Sequence, residues 1–95
     1  MARRRHLVAY DIRDERRLRS VADCMERYGD RIQYSVFICD LSDRELVLLR
    51  TDLEGIIRPS ADSVMIIDLG PVHATSRFLF LGQHEDLPDG GAVII

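Results

Sequence analysis

Leu7, Val8, Ala9 and Tyr10 form an unbroken apolar run that ends on a carboxylate, Asp11, before Ile12. A short run of β-branched and aromatic residues reads as a strand. An ionised carboxylate beside a packed core must be solvated, paired or bound to a cation. Asp11 therefore marks the end of the first strand as a place where the core meets water, a counter-charge or a ligand. A second segment has the same weight. Tyr28-Gly29 reads as a helix stop, and the residues from Arg31 to Phe37 read as strand.

The remaining elements follow from local chemistry. Asp14 is placed to cap a helix over about Glu15 to Tyr28, with Leu18, Val21, Ala22, Met25 and Tyr28 recurring at threes and fours. Gly29 is expected to supply a left-handed C-terminal cap. Arg31 to Asp40 is either one bent strand or two short ones, since no Gly, Pro or Asn marks a turn at Gln33-Tyr34-Ser35. Ser42 and Glu45 form a capping box flanked by a Leu41/Leu46 staple, opening a second helix to about Ile57, before Pro59. Its apolar stripe is Leu46, Leu49, Leu53, Ile56 and Ile57. Ser63 to Leu69 is a further strand, ended by Gly70-Pro71. Arg77 to Leu81 is a short strand, Asp89-Gly90-Gly91 a turn, and Ala92 to Ile95 an apolar closing strand.

The order strand, helix, strands, helix, strand gives an α+β sandwich of ferredoxin-like βαββαβ kind, with both helices on one face. One domain spans residues 1–95, with a core over 6–69 and a C-terminal segment over 76–95. A chain of this length buries only roughly 60–65% of its unfolded surface, which favours a homo-oligomer. The apolar tail lacks an obvious partner within so small a sheet. It is expected to pair with the sheet of a second copy.

Charge and composition narrow the function classes. The net charge of −3 divides into +3 over residues 1–34 and −6 over residues 35–95. The acidic average argues against a nonspecific nucleic-acid coat, while the basic first third leaves room for one cationic face. Every basic side chain other than histidine is Arg. No apolar run reaches membrane-spanning length. Arg3-Arg4-Arg5 precedes too short an apolar stretch for a signal peptide, so a cytoplasmic protein with no membrane partner is expected. Cys24 and Cys39 show neither metal-site spacing nor a disulfide framework, and read as small buried hydrophobes.

Few residues carry chemistry. Asp11 is a lone carboxylate, and Asp is also common as a simple cap at such turns. Magnesium needs oxygen ligands and is poorly served by one Asp. Two copies of Asp11 across a two-fold axis make a reasonable site. Arg13, Arg16, Arg17 and Arg31 gather near the same end. They are either phosphate contacts or members of a solvated face balanced by Asp14, Glu15 and Asp23. Tyr10, Tyr34 and Phe37 either stack on bases or pack in the core. His6, His73 and His84 share no ligand spacing. No nucleophile–histidine pair or phosphate-cradling glycine loop is present.

These residues resemble the CRISPR-associated Cas2 family. Tyr10-Asp11-Ile12, Tyr28-Gly29, the run Arg31-Ile32-Gln33-Tyr34-Ser35-Val36-Phe37, the helix start at Leu41 and Glu45, and Asp62-Ser63-Val64 carry the resemblance, with matching spacing from Leu7 to Leu69. It implies a ferredoxin-like homodimer whose C-terminal strand crosses to the partner, and it divides Arg31 to Asp40 into two strands. It further implies a metal-dependent endonuclease acting on single-stranded RNA or double-stranded DNA in CRISPR spacer acquisition and antiviral defence, with the CRISPR integrase as partner. Asp11 is then a catalytic residue and the metal ligand, with Mg²⁺ or Mn²⁺ between the two Asp11 of a dimer. Tyr10, Arg31 and Phe37 are the other catalytic residues so implied. Arg13, Arg16, Arg17 and Arg31 are the expected nucleic-acid contacts. A non-catalytic DNA scaffold bridging integrase dimers is the alternative, and a VapD-like RNA-cleaving toxin a further one. Met65 and Ile67 depart from the family pattern, standing where a basic residue and then an aromatic are common.

Overall fold

The computed structural model describes residues 2–72, 78–85, 87–88 and 92–94. In chain order these form β1 (Arg4–Asp11), α1 (Glu15–Glu26), β2 (Asp30–Gln33), β3 (Val36–Leu41), α2 (Asp43–Glu54), β4 (Ser63–Pro71), β5 (Phe78–Phe80) and β6 (Ala92–Ile94). The first six make the expected βαββαβ unit, with an antiparallel sheet in the order β2-β3-β1-β4. Among the described residues no helix is long and apolar enough to cross a membrane.

Local signals set the helix starts. The Asp14 side chain accepts from the Arg17 amide, and the Ser42/Glu45 capping box is complete in both directions. Each box satisfies amides that a helix start otherwise leaves unpaired. α2 stops at Glu54, short of Ile57, but the chain stays wound: the Ile56 and Ile57 amides both reach the Leu53 carbonyl at 3.0 Å.

Gly29 plays a different part from the one expected. It does not take a left-handed backbone; among the described glycines only Gly70 and Gly82 have positive φ. Its requirement is space. A Cβ at this position would fall 2.6 Å from Cys39 Sγ and inside contact distance of the Ile38 carbonyl oxygen. The connection from α1 to β2 thus lies directly on β3. Gly29→Ala is expected to cost about 1–3 kcal/mol, the usual range for overpacking a tight contact, and to lower the thermal midpoint. An unchanged midpoint would show that β3 gives way easily.

Arg31 to Asp40 is two strands with Tyr34-Ser35 between them. The turn forms without typical turn residues because tertiary pairing holds it: the Tyr10 amide donates to the Ser35 carbonyl at 3.1 Å. β4 continues past Leu69 to Pro71, with a bulge opposite Arg5/His6 accommodated by Gly70 at φ 100°. Proline is tolerated there because β4 is an edge strand.

Side chains alternate across a strand, so the sheet has two distinct faces. On one, Val8, Tyr10, Phe37, Cys39 and Leu41 pack against Val21, Cys24 and Met25 of α1 and Leu49 and Leu53 of α2. On the other, Ile32 and Ile38 are covered by Phe80 and Leu87 of the C-terminal segment. This cover is partial: Met65 and Ile67 of β4 are 54% and 40% exposed. The closing strand corrects an expectation. β6 pairs in parallel with β5 of its own chain, Phe78 opposite Ala92, rather than awaiting a second copy. Residues 81–91 approach the roughly dozen residues that a parallel crossover needs. The two strands form a separate ladder, which leaves each with one open edge among the described residues. The expected turn at Asp89-Gly90-Gly91 lies outside the described residues.

Candidate functional site

Asp11 sits where β1 ends, opposite Ser63 of β4. Its side chain is 64% exposed and its Oδ2 is 3.3 Å from Arg13 Nη2. The same register places Leu7 opposite Ile67 and Ala9 opposite Met65. Asp11 therefore shares a sheet face with the exposed apolar side chains of β4.

The turn behind Asp11 is held by Asp62, whose side chain is fully buried. Asp62 Oδ1 accepts from the Arg13 amide at 2.9 Å and from Arg17 Nη2 at 3.1 Å; Oδ2 accepts from Arg17 Nε at 2.7 Å and the Arg58 amide at 2.8 Å. Two loops and the first turn of α1 meet on this one carboxylate. The Arg17 guanidinium, with the two backbone amides, holds its carboxyl well below the usual carboxylate range. A carboxylate favoured in the folded state contributes stability that is present above its unfolded pKa, about 3.9, and lost as pH falls further. The gap in urea midpoint between wild type and Asp62→Asn is expected to be widest near neutral pH and to close below about pH 4. A gap independent of pH would show that the charge on Asp62 is not what matters. Sequence reading passed over Asp62 except as part of a family motif; its only local signal was an Asp directly before a strand.

The four arginines expected to meet phosphate have different surroundings. Arg13 and Arg16 are exposed. Arg17 is 20% exposed and committed to Asp62, with Asp14 at 4.0 Å. This bidentate geometry uses up its strongest donors, so it braces the turn rather than facing solvent. Arg31 lies with its Cζ 5.2 Å from the centroid of the Phe37 ring.

Tyr10, Arg31 and Phe37 come together, but away from Asp11. The Tyr10 and Phe37 rings stack at 6.2 Å between centroids, and Phe37 is wholly buried. Being adjacent in a strand, Tyr10 and Asp11 point to opposite faces. The implied catalytic set therefore divides: Asp11 with Arg13 at one face, and Tyr10, Phe37 and Arg31 on the helix side. Burial pushes the Tyr10 hydroxyl pKa up, with the Arg31 guanidinium pulling the other way.

Both cysteines are free and buried. Burial raises the pKa of each thiol, that of Cys39 to about 12, which keeps them protonated and unreactive. Among the described residues no cluster of three or more His, Cys, Asp or Glu side chains is placed to hold a metal. Asp11 is a hard oxygen donor of the kind magnesium takes, yet one chain brings only this one carboxylate to the site. The donor suits the ion in kind and needs a second copy to suit it in number.

A family model described as CRISPR associated protein Cas2 matches residues 4–75. The chain is 36% identical over 90 residues to a CRISPR-associated endoribonuclease Cas2 of Synechocystis, covering 95% of this chain and 97% of that protein. It is 40% identical over 85 residues to another from Thermodesulfovibrio yellowstonii, covering 90% of each. Among solved structures, a hypothetical protein from Thermus thermophilus aligns with a TM-score of 0.75 at 34% identity, covering 87% of this chain and 95% of that one. Streptococcus pyogenes Cas2 aligns with a TM-score of 0.65 at 38% identity, covering 70% and 86%.

Proposed function

The chain belongs to the CRISPR-associated protein Cas2 family, and on that premise we propose that it is a divalent-metal-dependent endonuclease working as a homodimer. The reading rests on one observation: Asp11 is exposed on the same sheet face as Met65 and Ile67. Exposed apolar side chains continuous with a core favour burial against a partner. A two-fold pairing of this face brings two Asp11 carboxylates to one seam. The names of the relatives, endoribonucleases among them, support phosphodiester cleavage as the chemistry.

Each residue then has a defined task. The two Asp11 would hold Mg²⁺ or Mn²⁺; such an ion, when bound, activates a water and neutralises charge on the phosphoryl group. Arg13, tethered to Asp11 only by an exposed ion pair, turns its guanidinium fork toward phosphate oxygens at the same place. Arg16 extends the cationic strip along the first turn of α1. Arg17 and Asp62 keep the turn in shape, which preserves the orientation of Asp11 without touching substrate. Nucleic acid is the substrate, and the CRISPR integrase is the partner in spacer acquisition.

Sedimentation and metal removal test this reading together. The protein is expected to sediment at twice its chain mass, and EDTA to abolish cleavage of end-labelled RNA or DNA, with Mg²⁺ or Mn²⁺ restoring it. A monomer leaves one carboxylate per site and overturns the proposal, as does cleavage that survives EDTA.

A further inference from the structure

The helix-side face holds a chemical environment that cleavage at Asp11 leaves unused. A cavity of about 360 Å³ opens there between the first half of α1 and the β2–β3 turn. Tyr10, Arg31 and Tyr34 line it from the strands, and Glu15, Leu18 and Arg19 from the helix.

Three features of this cavity ask for a ligand. Tyr10 is only 7% exposed, yet its hydroxyl is the one buried side-chain polar atom among the described residues that lacks a hydrogen-bond partner. A buried hydroxyl left unpaired is destabilising, and phenylalanine would fill the same space without that cost. Arg19 and Arg31 come from different elements, and neither is in an ion pair among the described residues. Two uncompensated guanidinium groups around one cavity suit an anion with several oxygens. Tyr34 is 74% exposed at the turn, where a large aromatic ring in water is available for stacking.

We propose that this cavity is a subsite for one unstacked nucleotide, with the base against Tyr34 and the Tyr10 hydroxyl, and the phosphate against Arg19 and Arg31. The assignment rests on the reading that nucleic acid is the ligand of this chain, and it adds a strand preference. A base held in a pocket must leave its stack, which costs least in a single strand. Single-stranded RNA or DNA is therefore taken over an intact duplex. Glu15 accepts a hydrogen bond from an exocyclic amino group, so cytosine is held better than uracil.

Titration of the wild-type dimer with CMP, UMP and inorganic phosphate, followed by NMR shifts of the tyrosine rings, tests the subsite. CMP is expected to bind saturably, at least about tenfold tighter than inorganic phosphate. Tyr34→Ala should weaken CMP binding about tenfold, the scale of one base–aromatic stack, with no change in the urea midpoint. Tyr10→Phe should weaken it several-fold while leaving the midpoint equal or higher, which a purely structural tyrosine would not do. Asp11→Asn, on the opposite face, should bind CMP as wild type does. Equal affinity for CMP and inorganic phosphate, or full CMP affinity in both tyrosine variants, overturns the subsite. The two readings fail separately. No CMP binding alongside metal-dependent cleavage removes the subsite alone, and CMP binding without cleavage removes the nuclease alone.

Discussion

Asp11→Asn is expected to remove metal-dependent cleavage by at least about a hundredfold while the dimer persists. A cation at a phosphoryl oxygen contributes several kcal/mol of transition-state stabilisation, and each 1.4 kcal/mol is a factor of about ten. The amide keeps the size of the side chain but loses the negative charge that a divalent ion requires. Because the carboxylate is mostly exposed and its partner Arg13 equally so, the fold loses little with it. The thermal midpoint should therefore stay within about a degree or two, since surface changes of this kind rarely exceed roughly 0.5 kcal/mol. If the variant cuts as well as wild type, the nuclease reading fails and a non-catalytic DNA scaffold becomes the better account. Nucleic-acid binding by Arg13 and Arg16, read from its salt dependence, would then be the function to measure.

Phe37→Ala is expected to cost about 3–5 kcal/mol, a large share of the roughly 5–15 kcal/mol that stabilises a domain. The ring is wholly buried among the residues joining the sheet to α1 and α2, and it stacks on Tyr10 beneath the Arg31 guanidinium. Truncation opens a cavity that three elements would have to collapse into. Although the family resemblance places Phe37 with the catalytic residues, its burial means that it acts by packing. Urea denaturation should show the loss directly, and Phe37→Leu should recover most of the stability. The folded fraction of either variant should retain Asp11-dependent cleavage. A Phe37→Ala protein as stable as wild type and inactive would instead place the ring at the reacting atoms.

How much of this was legible beforehand depends on the reach of each interaction. The caps at Asp14 and at Ser42/Glu45 were readable because each side chain bonds an amide three residues away. Asp11 was readable as a strand end because a carboxylate closing an apolar run is unusual wherever the chain folds. The Tyr34-Ser35 turn was not, because it is held by an amide from β1 rather than by its own residues. Gly29 invited the wrong explanation: a glycine after a helix normally signals backbone freedom, whereas here the demand comes from β3 pressed against it. Arg17 looked like a phosphate contact because its partner is 45 residues away.

By itself the sequence determined the order of the elements, the helix starts, the α+β class and the position of one exposed acid, all of which depend on contacts within a few residues. Only the tertiary structure decided that Asp11 and Tyr10 serve different faces, that Asp62 fastens the turn behind the site, and that β6 closes on β5. Those outcomes are set by pairing and burial between distant parts of the chain, and no local pattern of residues encodes which distant group will arrive.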